Sequence, residues 1–298
     1  EVLGSISGIG DSFDCIAISP DHSFVLLAFA GYDKDLGSIA AVQVWNTSQM
    51  EMEKTVVIEK DPDWGNEPES ITFLESGTTF VIHKAENESL EFWDITTKKK
   101  VDTFSFSHEV WTVGVSYDGQ FVMGTSRDLG LEIWNRTTEE LLVDEDDIYQ
   151  YIGFYSPTFT QDNQLAIVGG SDTLVIWDME NLNSPDVLEG NGELAVNPEG
   201  TLLAHYRQNA REIHFYDLVE RKPISVFEWQ AVIRGMVFNA DSTLLIINTY
   251  EGMFFWDIES EEVVHTIEYS PNEMALSDDG MILVTNSLDG TIRMWGIP

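Results

Sequence analysis

"TNSLDGTIRMWGIP", residues 285–298, decides the fold. An Asp-Gly turn leads into alternating Ile292 and Met294 and then Trp295, the pattern of a hairpin feeding a β-strand. Six similar stretches occur upstream: "VQVWN" with Trp45, "LEFWD" with Trp93, "LEIWN" with Trp134, "LVIWD" with Trp177, "IHFYD" with Tyr216 and "MFFWD" with Trp256. The aromatics are spaced by 48, 41, 43, 39, 40 and 39 residues. That interval is the length of a four-stranded propeller blade.

A second landmark recurs in every repeat. A short strand ends in a turn, as in "AISPDHS", "GVSYDGQ", "AVNPEGT" and "ALSDDGM", and an apolar strand follows. Asp, Asn and Gly suit such turns because they cap or tolerate left-handed backbone. After each of the first six aromatics comes a polar turn and one more strand, such as "KPISVFEW" or "EVVHTIEY". The seventh repeat lacks one. "EVLGSISG" at the N-terminus has the matching length and alternation, so residues 1–8 are expected to supply it and to close the last blade. The expected fold is all-β: a seven-bladed propeller of four-stranded antiparallel blades in one domain. The blades are expected at 12–58, 68–106, 108–144, 150–189, 192–228, 231–268 and 272–298.

Composition narrows function. There are 52 acidic residues against 15 basic ones, a net charge of −37. Such a surface repels nucleic acid and anionic membranes, which are bound chiefly through Lys and Arg. It suits cationic partners, or serves solubility alone. Cys15 is the only cysteine, which excludes an internal disulfide. The six histidines are scattered over several repeats without metal-ligand spacing, and no nucleophile or phosphate-binding motif appears. No catalytic residue, cofactor or metal is assigned, and the sequence assigns no compartment.

These residues resemble the WD-repeat β-propeller family, and the divergent repeats are similar in style to its bacterial members. "SHEVWTVGVSYDGQFVMGTSRDLGLEIWN" (107–135) comes closest to the family pattern. The resemblance implies a hydrogen-bonded structural tetrad of His108, Ser126 (or Thr125), Asp128 and Trp134. The last repeat keeps Asp289 and Trp295 but has no histidine.

Departures from the common repeat length mark what the fold does not require. From Asp21 to Trp45 blade 1 takes 24 residues, where blades 3 to 7 cover that interval in 15 to 17. The excess lies in "AGYDKDLGSIAA" (30–41), and a second excess lies in "EKDPDWGNEPES" (59–70). The resemblance implies that both open on the same face. They would gather Tyr32, Asp33, Asp35, Asp61, Asp63, Trp64, Asn66 and Glu67, beside a third acidic link at 143–153. Rings beside carboxylates suit a cationic guest. Trp111 and Trp229 lie near such links, and Trp111 is expected to pack inward.

The expectation is therefore a monomeric, non-enzymatic interaction module that docks a basic peptide or protein segment. Two alternatives stand beside it. One is a structural or sensor propeller within a longer exported or membrane-tethered protein, motivated by a chain that starts directly on the closing strand. The other is a hydrolase-like site at the propeller axis.

Overall fold

The structure is a computed structural model that describes residues 2–6, 13–33, 35, 37–60, 67–84, 87–126, 130–145, 157–170, 173–190, 192–277, 279–287 and 290–297. Among these residues every regular element is a strand. β1 (Val2–Ile6) comes first. The first repeat gives β2 (Cys15–Ile18), β3 (Phe24–Asp33), β4 (Gly37–Asn46) and β5 (Glu51–Lys60). The second gives β6 (Pro68–Phe73), β7 (Thr79–Lys84), β8 (Asn87–Asp94) and β9 (Lys99–Val110). The third gives β10 (Thr112–Val115), β11 (Phe121–Ser126), β12 (Gly130–Asn135) and β13 (Glu140–Glu145). The fourth gives β14 (Thr158–Phe159), β15 (Leu165–Gly169), β16 (Thr173–Asp178) and β17 (Asn181–Glu189). The fifth gives β18 (Leu194–Val196), β19 (Leu202–Arg207), β20 (Glu212–Asp217) and β21 (Lys222–Glu228). The sixth gives β22 (Ile233–Phe238), β23 (Leu244–Thr249), β24 (Met253–Asp257) and β25 (Glu262–Ile267). The seventh gives β26 (Met274–Leu276), β27 (Ile282–Asn286) and β28 (Ile292–Gly296).

Each repeat forms one four-stranded antiparallel sheet in sequence order, and the last sheet runs β1-β28-β27-β26. Val2 pairs with Trp295 and Ile6 with Ile292, so the N-terminal strand completes the seventh blade. The chain divides into two compact units, residues 1–109 with 271–298, and residues 110–270. Blades 1, 2 and 7 lie in the first unit and blades 3 to 6 in the second. Within each unit, apolar faces of neighbouring blades pack together. Val25, Leu27, Ile39 and Ala41 meet Val284, Ile292 and Met294 between blades 1 and 7. Ala204, Tyr206 and Phe215 meet Trp229, Phe238 and Leu245 between blades 5 and 6.

Two polar turns, repeated along the chain, fix these sheets. At the first, Ser19, Ser116, Thr160, Asn197, Asn239 and Ser277 are all buried. Each side-chain oxygen accepts the N–H of the residue five places on: Phe24, Phe121, Leu165, Leu202, Leu244 and Ile282. The hydroxyls of Ser19, Ser116, Thr160 and Ser277 donate to Asp21, Asp118, Asp162 and Asp279. A buried polar atom is thus satisfied inside the turn that it shapes. Blade 2 has Leu74 in this place, and there Ser76 accepts from the backbone of Thr78 and Thr79 instead.

The second turn follows the repeated aromatic. Asn46, Asp94, Asn135, Asp178, Asp217 and Asp257 accept backbone N–H groups two or three residues on. In five blades the turn ends on a left-handed residue, Met50, Lys98, Glu139, Arg221 or Glu261, with φ between 54° and 58°. The Asn or Asp after each aromatic is therefore a cap for the tight turn into the outer strand.

Candidate functional site at the blade 7, 1 and 2 strand ends

The blade 1 insertion at 30–41 is a hairpin that lengthens the second and third strands. β3 and β4 are ten residues each, and their ladder runs on through Gly31↔Ile39, Tyr32↔Ser38 and Asp33↔Gly37. β5 follows them up to Lys60, which pairs with Ile39. Ile39 on this extension packs into the blade 1–7 core, while Tyr32, Asp35 and Ser38 at its tip are exposed. Tyr32 stands on it 76% exposed, and Asp35 is exposed in its turn. Asp33 belongs to the same hairpin by its backbone pairing.

Asp61, Asp63, Trp64 and Asn66 lie outside the described residues, as does most of the 143–153 link. Glu67 is exposed just before β6. It meets a residue that sequence reasoning missed. Asp14 precedes β2, and Glu67 together with burial raises the Asp14 carboxyl above its ordinary value, burial being the larger cause. Asp14 Oδ2 accepts the Ala30 N–H at 3.0 Å, which ties this carboxylate to the root of the Tyr32 hairpin. Glu69 and Glu273 complete the group. With Asp14 they raise the buried Cys15 thiol, although burial contributes most. Four carboxylates from three blades thus stand at the starts of the innermost strands, and Asp14 is the one in contact with the root of the tyrosine hairpin.

Buried polar side chains hold these strand starts. Asn286 donates from Nδ2 to the Phe13 carbonyl at 3.2 Å and accepts the Glu273 N–H at 2.7 Å, linking blades 7 and 1. Lys84 sits at the blade 1–2 seam with Nζ 2.9 Å from Glu59 and 3.6 Å from Glu91. Within blade 2 the same Glu91 also pairs with Lys100, 3.1 Å away. Lys84 also pairs by its backbone with Pro68, so the segment between Glu59 and Glu67 is anchored at both of its ends. A buried ion pair of this kind fixes geometry more than it adds stability.

The other sequence-selected residues are placed as follows. In the third repeat, Trp134 Nε1 donates to Glu132 at 3.0 Å, and Glu132 is 2% exposed. Blades 1 and 2 use the same device, Trp45 to Gln43 and Trp93 to Glu91. Of the tetrad residues, Asp128 lies outside the described residues, while His108, Ser126 and Trp134 sit on β9, β11 and β12. In the seventh repeat, Trp295 Nε1 donates instead to the Thr285 hydroxyl at 2.9 Å. Trp229 is core, in edge contact with Phe254 at 5.3 Å and Trp256 at 6.1 Å. Trp111 is half-buried, and its N–H bonds the Thr125 carbonyl at 2.7 Å. Among the described residues, no three His, Cys, Asp or Glu side chains form a group able to hold a metal ion.

A family profile described as "WD domain, G-beta repeat" matches residues 262–296. Those residues hold the outer strand of blade 6 and the blade with the Trp295–Thr285 bond. The chain carries a WD repeat on a seven-bladed propeller. The serine-threonine kinase receptor-associated protein of Mus musculus is 22% identical over 236 residues, which cover 74% of this chain and 65% of that protein. The small ribosomal subunit protein RACK1y of Oryza sativa subsp. japonica is 27% identical over 165 residues, 49% of each chain. The chain thus spans less than two thirds of these relatives' own lengths. A chain in the crystal structure of a mitotic checkpoint complex aligns over 100% of this chain and 94% of its own, with a TM-score of 0.79 and 16% identity. That likeness shows the propeller fold.

Proposed function

We propose that the propeller is a non-enzymatic protein-interaction module whose acidic, tyrosine-bearing end at blades 7, 1 and 2 docks a basic peptide or protein segment. The observation that carries this reading is the Asp14 carboxylate bonded to the root of the protruding Tyr32 hairpin, with Glu67 repelling it and Glu69 and Glu273 at the neighbouring strand starts. A cationic side chain relieves the Asp14–Glu67 repulsion when it binds. Tyr32 adds area and a ring face for the same guest. The tryptophan and carboxylates of the 61–66 segment, which starts and ends at this place in the chain, extend the surface on sequence grounds.

The printed names of the similar proteins agree with the general reading: one is receptor-associated, one belongs to a ribosomal subunit and one to a checkpoint complex. The net charge of −37 steers cationic partners in and disfavours nucleic acid. The module acts as a monomer in this reading.

The test is capture of the chain by a peptide array that varies charge and aromatic content, at low and physiological salt. Salt-sensitive capture of basic peptides, lost in a combined Asp14→Asn, Glu67→Gln, Asp61→Ala, Asp63→Ala and Trp64→Ala variant, supports the reading. Capture indifferent to charge or to these substitutions overturns it.

A further inference from the structure

We propose that the basic guest binds as an added β-strand along the inner edge of β3, with the Tyr32 hairpin as its template. This rests on the reading of the acidic end as a docking surface, and it specifies how the guest is held.

The geometry comes from where β2 stops. β2 pairs with β3 only from Cys15↔Ala28 to Ile18↔Val25, while β3 continues to Asp33. Even-numbered residues of β3 turn their backbone groups toward β2. The Ala28 carbonyl accepts the Asp14 N–H, and the Phe24 carbonyl accepts the Ser19 N–H. Odd-numbered ones face β4, as the Ser23 carbonyl does just before the strand by accepting the Thr47 N–H. Beyond Ala28 the β2 side of β3 is met by a side chain: Asp14 Oδ2 takes the Ala30 N–H. The next groups on that edge are the Ala30 carbonyl and the N–H and carbonyl of Tyr32. Among the described residues no strand pairs with them. β4 holds the opposite side of the same segment through Ser38 and Gly37, so the ribbon is preformed.

A preformed ribbon with open donors and acceptors is a template for an incoming strand. The occupant is an extended basic segment, because the Asp14 carboxylate stands where the edge opens, Glu67 repels it, and Glu69 and Glu273 stand at the neighbouring strand starts. Backbone bonds to Ala30 and Tyr32 would align the guest, and alternate Lys or Arg side chains would reach the carboxylates. An acidic or neutral strand would gain the backbone bonds but meet unrelieved charge.

The experiment titrates the chain with a synthetic peptide alternating Lys and Thr, and with the same peptide N-methylated at every residue. Charge and side chains are equal in the two peptides; the N-methyl groups remove the backbone donors and obstruct strand pairing. The proposal expects the N-methylated peptide to bind about tenfold more weakly or worse, the loss of one or two net hydrogen bonds. It also expects Tyr32→Pro, which removes the N–H on the open edge while leaving the β4 side paired, to weaken the parent peptide by a similar factor. Tyr32→Thr, which keeps that N–H, should lose less. Equal affinity of the two peptides for the unaltered chain overturns strand addition while leaving the basic-segment platform standing. Failure of both peptides to bind at any salt overturns the platform and strand addition together.

Discussion

Blades 1 and 5 use one strand pattern for opposite ends. In blade 1 the second and third strands are ten residues long, and their tip exposes Tyr32. In blade 5 they are six residues long, and the tyrosine one residue before the end of the second strand is buried. Tyr206 packs in the blade 5–6 core and donates its hydroxyl to the Ala231 carbonyl at 3.2 Å. Its backbone N–H, on the inner edge, is taken by the Glu193 carbonyl. The neighbouring His205 is 5% exposed and stacks on His214 with ring centroids 5.1 Å apart. In a repeat scaffold, strand length up to the reach of the innermost strand serves packing. Beyond it Phe29, Ile39 and Ala41 still pack inward, but Tyr32, Asp35 and Ser38 at the tip are exposed and available for recognition.

That difference is open to attack from the packed side first. Burial, then the charges of His214 and Arg207, lower the His205 pKa from 6.5 to about 3. Below pH 6.5 the unfolded chain takes a proton that the folded His205 refuses, so stability falls as pH drops toward about 3. The full effect is about 5 kcal/mol, and about 2 kcal/mol is lost by pH 5. Chemical denaturation of the wild-type chain and of His205→Leu across pH 7 to 4 measures it. The variant should lose most of this slope, and equal slopes would show that blade 5 does not hold its histidine neutral.

Close backbone approach comes next. A Cβ at Gly252 would lie 2.5 Å from the Ile267 carbonyl oxygen, with φ at +149°. Because both the neighbour and the conformation are backbone, Gly252→Ala should cost about 2–3 kcal/mol in denaturant midpoint. Tyr32→Ala, on the displayed hairpin, should stay within about 0.5 kcal/mol of wild type. Between these extremes lies Thr285→Val. It leaves the buried Trp295 N–H without its hydroxyl and should cost about 1–2 kcal/mol by the same measurement.

The parts legible in the sequence were those repeated in every blade. Trp45 through Trp295 mark the third strand, and the Asx and Ser turns mark the hairpins, because one local geometry demands a similar residue type in at least six of the seven blades. The closing strand was legible because the last repeat came up one strand short. The candidate site was legible only where it departed in length, at Tyr32, Asp33, Asp35 and Glu67. Asp14, Glu69 and Glu273 were missed because they sit in repeats of ordinary rhythm, and their proximity is created by packing three blades together. A signal was present for two of them: Asp14 and Glu69 each stand five residues before the turn residues Ser19 and Leu74. Aligning the repeats on their turns places those carboxylates at equivalent strand starts. The Trp45, Trp93 and Trp134 partners were hidden for another reason. Gln43, Glu91 and Glu132 read as outward-facing polar positions, and only the structure shows that the indole N–H draws them inward.

The smallest effect on stability is expected where the effect on recognition is largest in proportion. The raised pKa of Asp14 means that the fold favours its protonated form. Its ionisation therefore costs stability as pH rises from 3.8 through the folded-state value, and the cost persists at neutral pH. Asp14→Asn removes the charge, and the amide oxygen can still accept the Ala30 N–H. At pH 7 the variant should be as stable as wild type or stabilised by less than about 1 kcal/mol, while binding of a Lys-rich peptide weakens by about threefold to tenfold. Thermal unfolding and peptide titration on the same sample read both quantities. A substitution that improves the fold and damages binding separates display from packing at a single residue. If Asp14→Asn instead destabilises the chain and leaves peptide affinity unchanged, the carboxylate belongs to the architecture of blade 1, and the strand starts of blades 7, 1 and 2 are not where a partner is read.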